Sequence, residues 1–405
     1  MNRIILHCDC NSFYASVETV LNPAYKNVPM AVCGSEEDRH GIVLAKNELA
    51  KKYNIQTAET VYSAKKKCPG LVIAKPHHSE YIKYSRAVNA IYSRYTDMIE
   101  PFGIDESWLD VTKSTRLFGS GLEIAERIRN DVKKETGLTI SIGVSFNKIF
   151  AKLGSDYKKP DAVTVIDESN FKSIVFPLPV SDLLYVGKKT AGILFSAGIK
   201  TIGQLAAADP ETLDVLLGKM GDVLHKYANG LDSSPVSPSE EDAKSISNGL
   251  TFKHNLVSRD QYRIGIEYLS EEIGEKLRKK HLLCGTVAIT IKDENLNVIQ
   301  RQRPQRPPTD ITKEIANTAY NLLLDSWIDL KPIRMITVSA TGFMRRESSS
   351  EQISFFDGNV NVKREKSEKR DNAVDKIRQK YGNASIINGA IIDSDIGIYN
   401  KKQRD

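Results

Sequence analysis

The chain has 405 residues; 57 Lys and Arg against 51 Asp and Glu leave a net charge of +6, and 40% of the residues are hydrophobic. That length exceeds one ordinary core, so about two to four domains are expected, and the mild basicity permits a nucleic-acid partner without demanding one. Cys8, Cys10, Cys33, Cys68 and Cys284 show no C-x-x-C pairing and suggest neither a zinc site nor a disulfide framework; no stretch approaches the ~18 apolar residues of a membrane span, so a reduced, cytoplasmic protein with no membrane partner is expected.

In chain order, Arg3 to Asp9 is a short apolar run ending in an acid, and the residues from Phe13 to Glu18 follow at helical period. A strand, a turn and a helix are expected, with Asp9 at the strand's carboxyl end beside free backbone N–H groups. Short strands are expected over 30–34 and 41–45 around a solvated loop at 35–40, then basic helices over 46–53 and 61–68 and a strand over 72–74. Residues 80–96 carry Tyr81, Tyr84, Val88, Ile91, Tyr92 and Tyr95 at helical spacing, an aromatic stripe that reads as core.

Asp105 and Glu106 then interrupt two apolar flanks, Met98 to Ile104 and Trp108 to Val111. Neighbours on a strand point to opposite faces, so both carboxylates converge only at a strand end or tight turn. On the pair alone a polar hairpin turn is the simpler reading. Asp9 changes that, because three acids brought together repel unless a cation sits among them, and Mg²⁺ held by carboxylates and substrate phosphates is the usual answer. Such a set would suit in-line displacement at phosphorus with two metal ions. A helix over 121–136 and a strand over 139–145 complete the order strand, helix, hairpin, helix, strand, which is that of a split βαβ, ferredoxin-like sheet. Lys148, Lys152, Lys158 and Lys159 surround a helix running to Pro160, with Lys152 read as a structural or DNA-side cation.

Pro177-Leu178-Pro179 marks a boundary, and 180–232 reads as helical with short loops. Residues 233–242 have linker composition. Beyond them, strands over 245–252, 286–292, 298–306 and 333–341 alternate with helices over 259–281 and 312–325. Arg301 and Arg303 share one strand face suited to a phosphate backbone, with Arg306 farther along; a charge-protected edge strand is the plainer alternative. Gln352 to Phe356 sets two aromatics in a polar segment, which suggests a docking peptide. The tail after it carries no functional signal, and either folds back or stays mobile.

Asp9 to Glu18 (DCNSFYASVE), Ile104 to Asp110 (IDESWLD) and Ser141 to Pro160 (SIGVSFNKIFAKLGSDYKKP) together resemble the Y-family translesion DNA polymerases, and the similarity runs in order from Asp9 to about Phe356. The resemblance implies an α+β multidomain, right-hand polymerase: a ferredoxin-like palm over 1–20 and 75–175, small fingers over 21–74, a helix-hairpin-helix thumb over 176–232, a linker over 233–243, an α/β little finger over 244–346, and a tail over 347–405. It implies a template-directed, low-fidelity DNA polymerase for lesion bypass that adds deoxynucleotides to a primer 3′-OH without proofreading. In such a protein Asp9, Asp105, Glu106 and the backbone carbonyl of Cys10 hold two Mg²⁺, with Mn²⁺ as an alternative. Phe13 and Tyr14 lie at the nucleotide sugar, Tyr14 as the gate against a 2′-hydroxyl, and Lys51 and Lys159 face the triphosphate. Gly187, Lys188 and Lys189, with Arg301, Arg303 and Arg306, face primer-template DNA, and Gln352, Phe355 and Phe356 match a sliding-clamp-binding peptide. A monomer associated with the bacterial nucleoid is implied.

The match departs from the family at Ala45, Glu48 and Lys51, where many relatives carry Thr, Tyr and Arg. It departs again at Leu184 and Tyr185, in place of Pro and Gly, and at Phe355, in place of Leu. A palm-fold nucleotidyl cyclase and a catalytically impaired DNA-binding scaffold are the alternatives. The thumb hairpin and little-finger blocks argue against the first. The intact Asp9, Asp105 and Glu106 argue against the second, which Ala45 and Glu48 keep open.

Overall fold

The computed structural model describes residues 3–35, 41–238, 243–327, 331–348, 358–392, 394 and 396–398. The strands, in chain order, are β1 (Ile5–Cys10), β2 (Met30–Cys33), β3 (Val43–Lys46), β4 (Val72–Ala74), β5 (Ile99–Pro101), β6 (Glu106–Asp110), β7 (Ile140–Ser145), β8 (Val163–Ile166), β9 (Ser245–Leu256), β10 (Leu282–Asp293), β11 (Val298–Thr309) and β12 (Ile333–Arg345). Contacts divide the chain into two compact units, residues 1–34 with 42–240, and 35–41 with 241–405.

The first unit is built on a five-stranded sheet of order β5-β6-β1-β7-β8. β1 pairs antiparallel with both β6 and β7, which is the split βαβ arrangement, with β8 added parallel to β7. Alternation along β1 sorts its side chains. Leu6, Cys8 and Cys10 enter a core with helices His78–Tyr92 and Gly121–Thr136, while Ile5 packs on the other side with Trp108 and with Ala151 of helix Lys148–Tyr157. The 121–136 helix has the expected bounds because Ser120 and Glu123 form a capping box and Gly137 ends it in the left-handed conformation (φ 73°). Helix Lys148–Tyr157 lies on β7 at backbone distance. A Cβ on Gly143 would stand 1.9 Å from the Ala151 carbonyl oxygen, and one on Gly154 would stand 2.9 Å from Gly143 Cα.

A small sheet of order β3-β2-β4 carries helices Glu48–Lys51 and Val61–Lys67 around Ala31, Val43, Ala50, Val61 and Leu71. The basic helix expected over 46–53 is cut to four residues. Asn47 uses its side chain to cap Ala50 N–H (2.9 Å) and to bridge Met30 and Val28, and Asn54 turns left-handed (φ 56°). Helices Lys188–Ser196, Ile202–Ala207, Pro210–Leu217 and Lys219–Ala228 form a further small core around Leu194, Leu205, Leu213 and Leu224.

The second unit is a sheet of order β11-β10-β12-β9 packed on helices Arg259–Lys279 and Thr312–Ser326. The tail folds back on it. Helix Gly358–Tyr381 is polar in composition and docks through ion pairs, Arg278 with Asp371 and Asp375 and Arg378 with Glu271, all four arms largely buried. Ile391, Ile396 and Ile398 complete this unit's core, and Lys253 N–H donates to the Ile396 carbonyl at 3.3 Å. All five cysteines are free and buried, and no helix among the described residues is long and apolar enough to cross a membrane.

Candidate active site

Backbone pairing assembles the acids. Asp9, next to last in β1, stands opposite Glu106, the first residue of β6, and Cys10 N–H donates to the Asp105 carbonyl at 3.0 Å. Asp9 is buried, and Asp105 and Glu106 are half-buried. Burial, followed by the charges of Asp9 and Glu106, pushes the Asp105 carboxyl up to about 6. Burial also works against ionisation of Glu106, yet contacts with His7 and Lys152 hold it down at about 2. The lasting charge there is that of Lys152, because burial holds His7 below its ordinary value and uncharged at neutral pH.

Helix Lys148–Tyr157 and the turn after it supply the counter-charge. Lys152 Nζ lies 2.8 Å from Glu106 Oε2 and 3.3 Å from Asp9 Oδ2, and Lys159 Nζ lies 2.7 Å from Asp9 Oδ2 and 2.7 Å from Asp156 Oδ1. Lys152 is therefore neither a remote nor a DNA-side cation but the bridge between two of the acids. The close approach at Gly143 and Gly154 makes this possible, and spacing in the sequence carried no sign of it.

Beneath the acids lies His7, fully buried. Its Nδ1 is 2.8 Å from Ser155 Oγ, its Nε2 is 3.3 Å from Glu106 Oε2, and its ring meets the edge of Trp108 at 5.2 Å between centroids. His7, Asp9 and Glu106 each offer a donor atom within 4.8 Å of the others. Sequence reasoning passed over His7; its position two residues before Asp9, hence on the same strand face, was the signal available.

Beside the acids the first helix, Phe13–Leu21, starts at Ser12, itself left-handed (φ 49°). Phe13 is buried, while the half-buried Tyr14 stacks on Tyr81 with centroids 4.1 Å apart and planes 11° from parallel. Burial, and then the nearby Asp105 charge, raises the Tyr14 hydroxyl above its usual range. Tyr81 is in the core as expected, and it is also the platform for Tyr14. Its hydroxyl donates to the buried Glu18 at 2.5 Å, and Glu18 takes the His77 N–H at 3.2 Å as well.

Glu48 is engaged on both sides: Ser12 Oγ donates to its Oε1 at 3.1 Å, and Lys51 Nζ lies 2.6 Å from the same atom. Lys51 is thus paired with Glu48, and Ala45 packs into a small core with Ala15, Met30 and Val32. In the helical part, Tyr185 holds φ 70° where the family carries glycine; Gly187 precedes helix Lys188–Ser196, whose first residues, Lys188 and Lys189, are exposed. In the second unit Arg301, Arg303 and Arg306 are exposed on β11, an edge strand, and Arg303 pairs with Asp325 at 2.7 Å. Gln352, Phe355 and Phe356 lie outside the described residues.

Against known proteins, the impB/mucB/samB family profile matches residues 8–156 and that family's C-terminal domain matches 243–355. The chain is 49% identical over 394 residues to DNA polymerase IV of Acetivibrio thermocellus, covering 97% of this chain and 98% of that one. It is 35% identical over 392 residues to DNA polymerase IV 1 of Bacillus subtilis, covering 96% and 94%. Among solved structures, a Y-family DNA polymerase chimera superposes with a TM-score of 0.75 at 24% identity, over 84% of this chain and 99% of that one.

Proposed function

The chain belongs to the impB/mucB/samB family of Y-family DNA polymerases, and from that premise we propose that Asp9, Asp105 and Glu106 are its catalytic acids. The protein is a translesion DNA polymerase acting on primer-template DNA and deoxynucleoside triphosphates, with catalysis dependent on divalent metal. The observation that carries the assignment of residues is the convergence of the three carboxyls, one of them driven up to about 6 by the other two and by burial. Oxygen donors crowded in this way fit a hard cation, and we assign them two Mg²⁺, with the Cys10 carbonyl as a further ligand. When bound, the ions lower the cost of the negative charge that develops as the primer hydroxyl attacks the α-phosphate and pyrophosphate leaves.

The chain's own groups prepare that step. Lys152 and Lys159 offset Asp9 and Glu106, so the acids are held together before the substrate arrives. Lys159, bonded to Asp9 through a 2.7 Å contact, is placed to exchange it for a triphosphate oxygen, and Lys51 is placed to exchange Glu48 in the same way. Tyr14, fixed flat on Tyr81, presents a rigid edge to the sugar, and a 2′-hydroxyl would meet it. The exposed Lys188, Lys189, Arg301, Arg303 and Arg306 suit sequence-independent phosphate contacts. On this reading the domain limits are those expected above, the protein works as a monomer without proofreading, and Gln352 to Phe356 bind a sliding clamp. The curated relatives favour neither a cyclase nor a scaffold.

Primer extension on a short DNA template with Mg²⁺ tests the assignment. Deoxynucleotide addition should be lost in Asp105→Asn, and Tyr14→Ala should admit ribonucleotides. Extension by Asp105→Asn at the native rate would remove that residue from the site.

A further inference from the structure

The next inference rests on the reading of Asp9 and Glu106 as cation ligands and concerns a residue outside that set, His7. Ser155 has one hydroxyl proton, directed to the Lys152 carbonyl at 2.8 Å, so its oxygen accepts from His7 Nδ1–H, also at 2.8 Å. In the neutral ring Nε2 then carries a lone pair. That nitrogen is buried without a hydrogen-bond partner and stands 3.3 Å from Glu106 Oε2. Two electron-rich atoms at that separation repel each other in a buried site, and a cation beside them relieves the repulsion.

The geometry points to His7 Nε2 as a third donor, with Asp9 and Glu106, to a divalent transition-metal ion such as Mn²⁺ or Co²⁺. Nδ1, tied to Ser155, fixes the ring orientation, as the partner of a metal-bound imidazole ordinarily does. The ammonium of Lys152 now lies among these donors; Asp156, 3.5 Å from it, gives it a carboxylate to move to as an ion enters. Mg²⁺ favours oxygen ligands and sheds water reluctantly, so a nitrogen donor adds little for it, whereas affinity for nitrogen rises along the first-row ions. The consequence is a site whose preference between Mg²⁺ and Mn²⁺ is set by a residue that need not touch nucleotide.

The test uses the full chain stripped with EDTA and loaded with Mn²⁺ alone, read by electron spin-echo modulation. Nitrogen modulation from a directly bound imidazole is expected, shifting to the ¹⁵N pattern when the histidines are ¹⁵N-labelled. His7→Phe and His7→Gln should abolish it, weaken Mn²⁺ binding about tenfold, and leave Mg²⁺ binding, measured by competition, within about twofold. Mn²⁺ bound at the acids without nitrogen coupling overturns the proposal and leaves the acid-site reading standing, as does equal weakening of both ions by His7→Phe. Mn²⁺ binding that is absent, or indifferent to Asp9→Asn, overturns both. The isotope comparison needs no variant, so it decides the matter even where a buried substitution fails to fold.

Discussion

Asn in place of Asp105 should make the protein more stable as it makes it inactive. In EDTA, burial and the neighbouring Asp9 and Glu106 push the Asp105 carboxyl from an ordinary 3.8 to about 6. An acid that holds its proton more tightly in the folded chain stabilises the fold fully below its unfolded value, and that stability is lost as pH rises through about 6. The difference corresponds to about 3 kcal/mol, an upper figure because water reaches part of the carboxylate. Asn keeps the shape and never ionises, so the variant should exceed the native chain by about 2–3 kcal/mol at pH 7.5 and by almost nothing at pH 4. Urea unfolding in EDTA at the two pH values measures this. Because Trp108 and Trp327 are the chain's two tryptophans, a Trp327→Phe background lets Trp108 report the first unit. Millimolar Mg²⁺ should then raise the native midpoint and leave that of the variant unmoved. A gain that is the same at pH 4 and pH 7.5, or no gain at all, would refute the view that crowding of charge is what the site stores.

Three further outcomes follow from the packing. Tyr185→Gly should stabilise the helical part by about 1 kcal/mol, since a side chain at φ 70° bears a left-handed penalty that glycine lacks, and thermal denaturation would show it. Arg278→Ala strands the buried Asp371 and the largely buried Asp375, and should cost the second unit about 3–5 kcal/mol, followed by Trp327 emission. Gly143→Ala should cost more than about 3 kcal/mol, because its Cβ would meet the Ala151 carbonyl, a backbone atom that no rotamer change can move; a circular-dichroism melt reads the loss.

The catalytic acids were legible because each interrupts an apolar run at a strand end, and helix Gly121–Thr136 was legible because its cap residues lie within the local sequence. Helix Glu48–Lys51 came out shorter than its basic run because Asn47 and Asn54 close it at both ends, a contest between side chain and backbone that periodicity does not register. Lys152 and His7 were missed as members of the site for another reason. Their partners lie far along the chain, and only the approach of helix to sheet at two glycines brings them to the acids. The tail helix was illegible because ion pairs dock it, and charge has no period to read.

The contact of helix Lys148–Tyr157 with β7 through Gly143 and Gly154 also fixes which side of the site yields. Backbone pressed on backbone leaves no slack for sliding, so the lysine-bearing wall behaves as one stiff plate with the sheet that carries Asp9. The opposite wall is a single turn, Glu48–Lys51, held by one asparagine and a carboxylate shared between Ser12 and Lys51. Accommodation of templates and nucleotides of different size therefore falls to that turn: the site works as an anvil with one soft jaw, and substitutions that change its tolerance should accumulate around Glu48 while the anvil stays as it is.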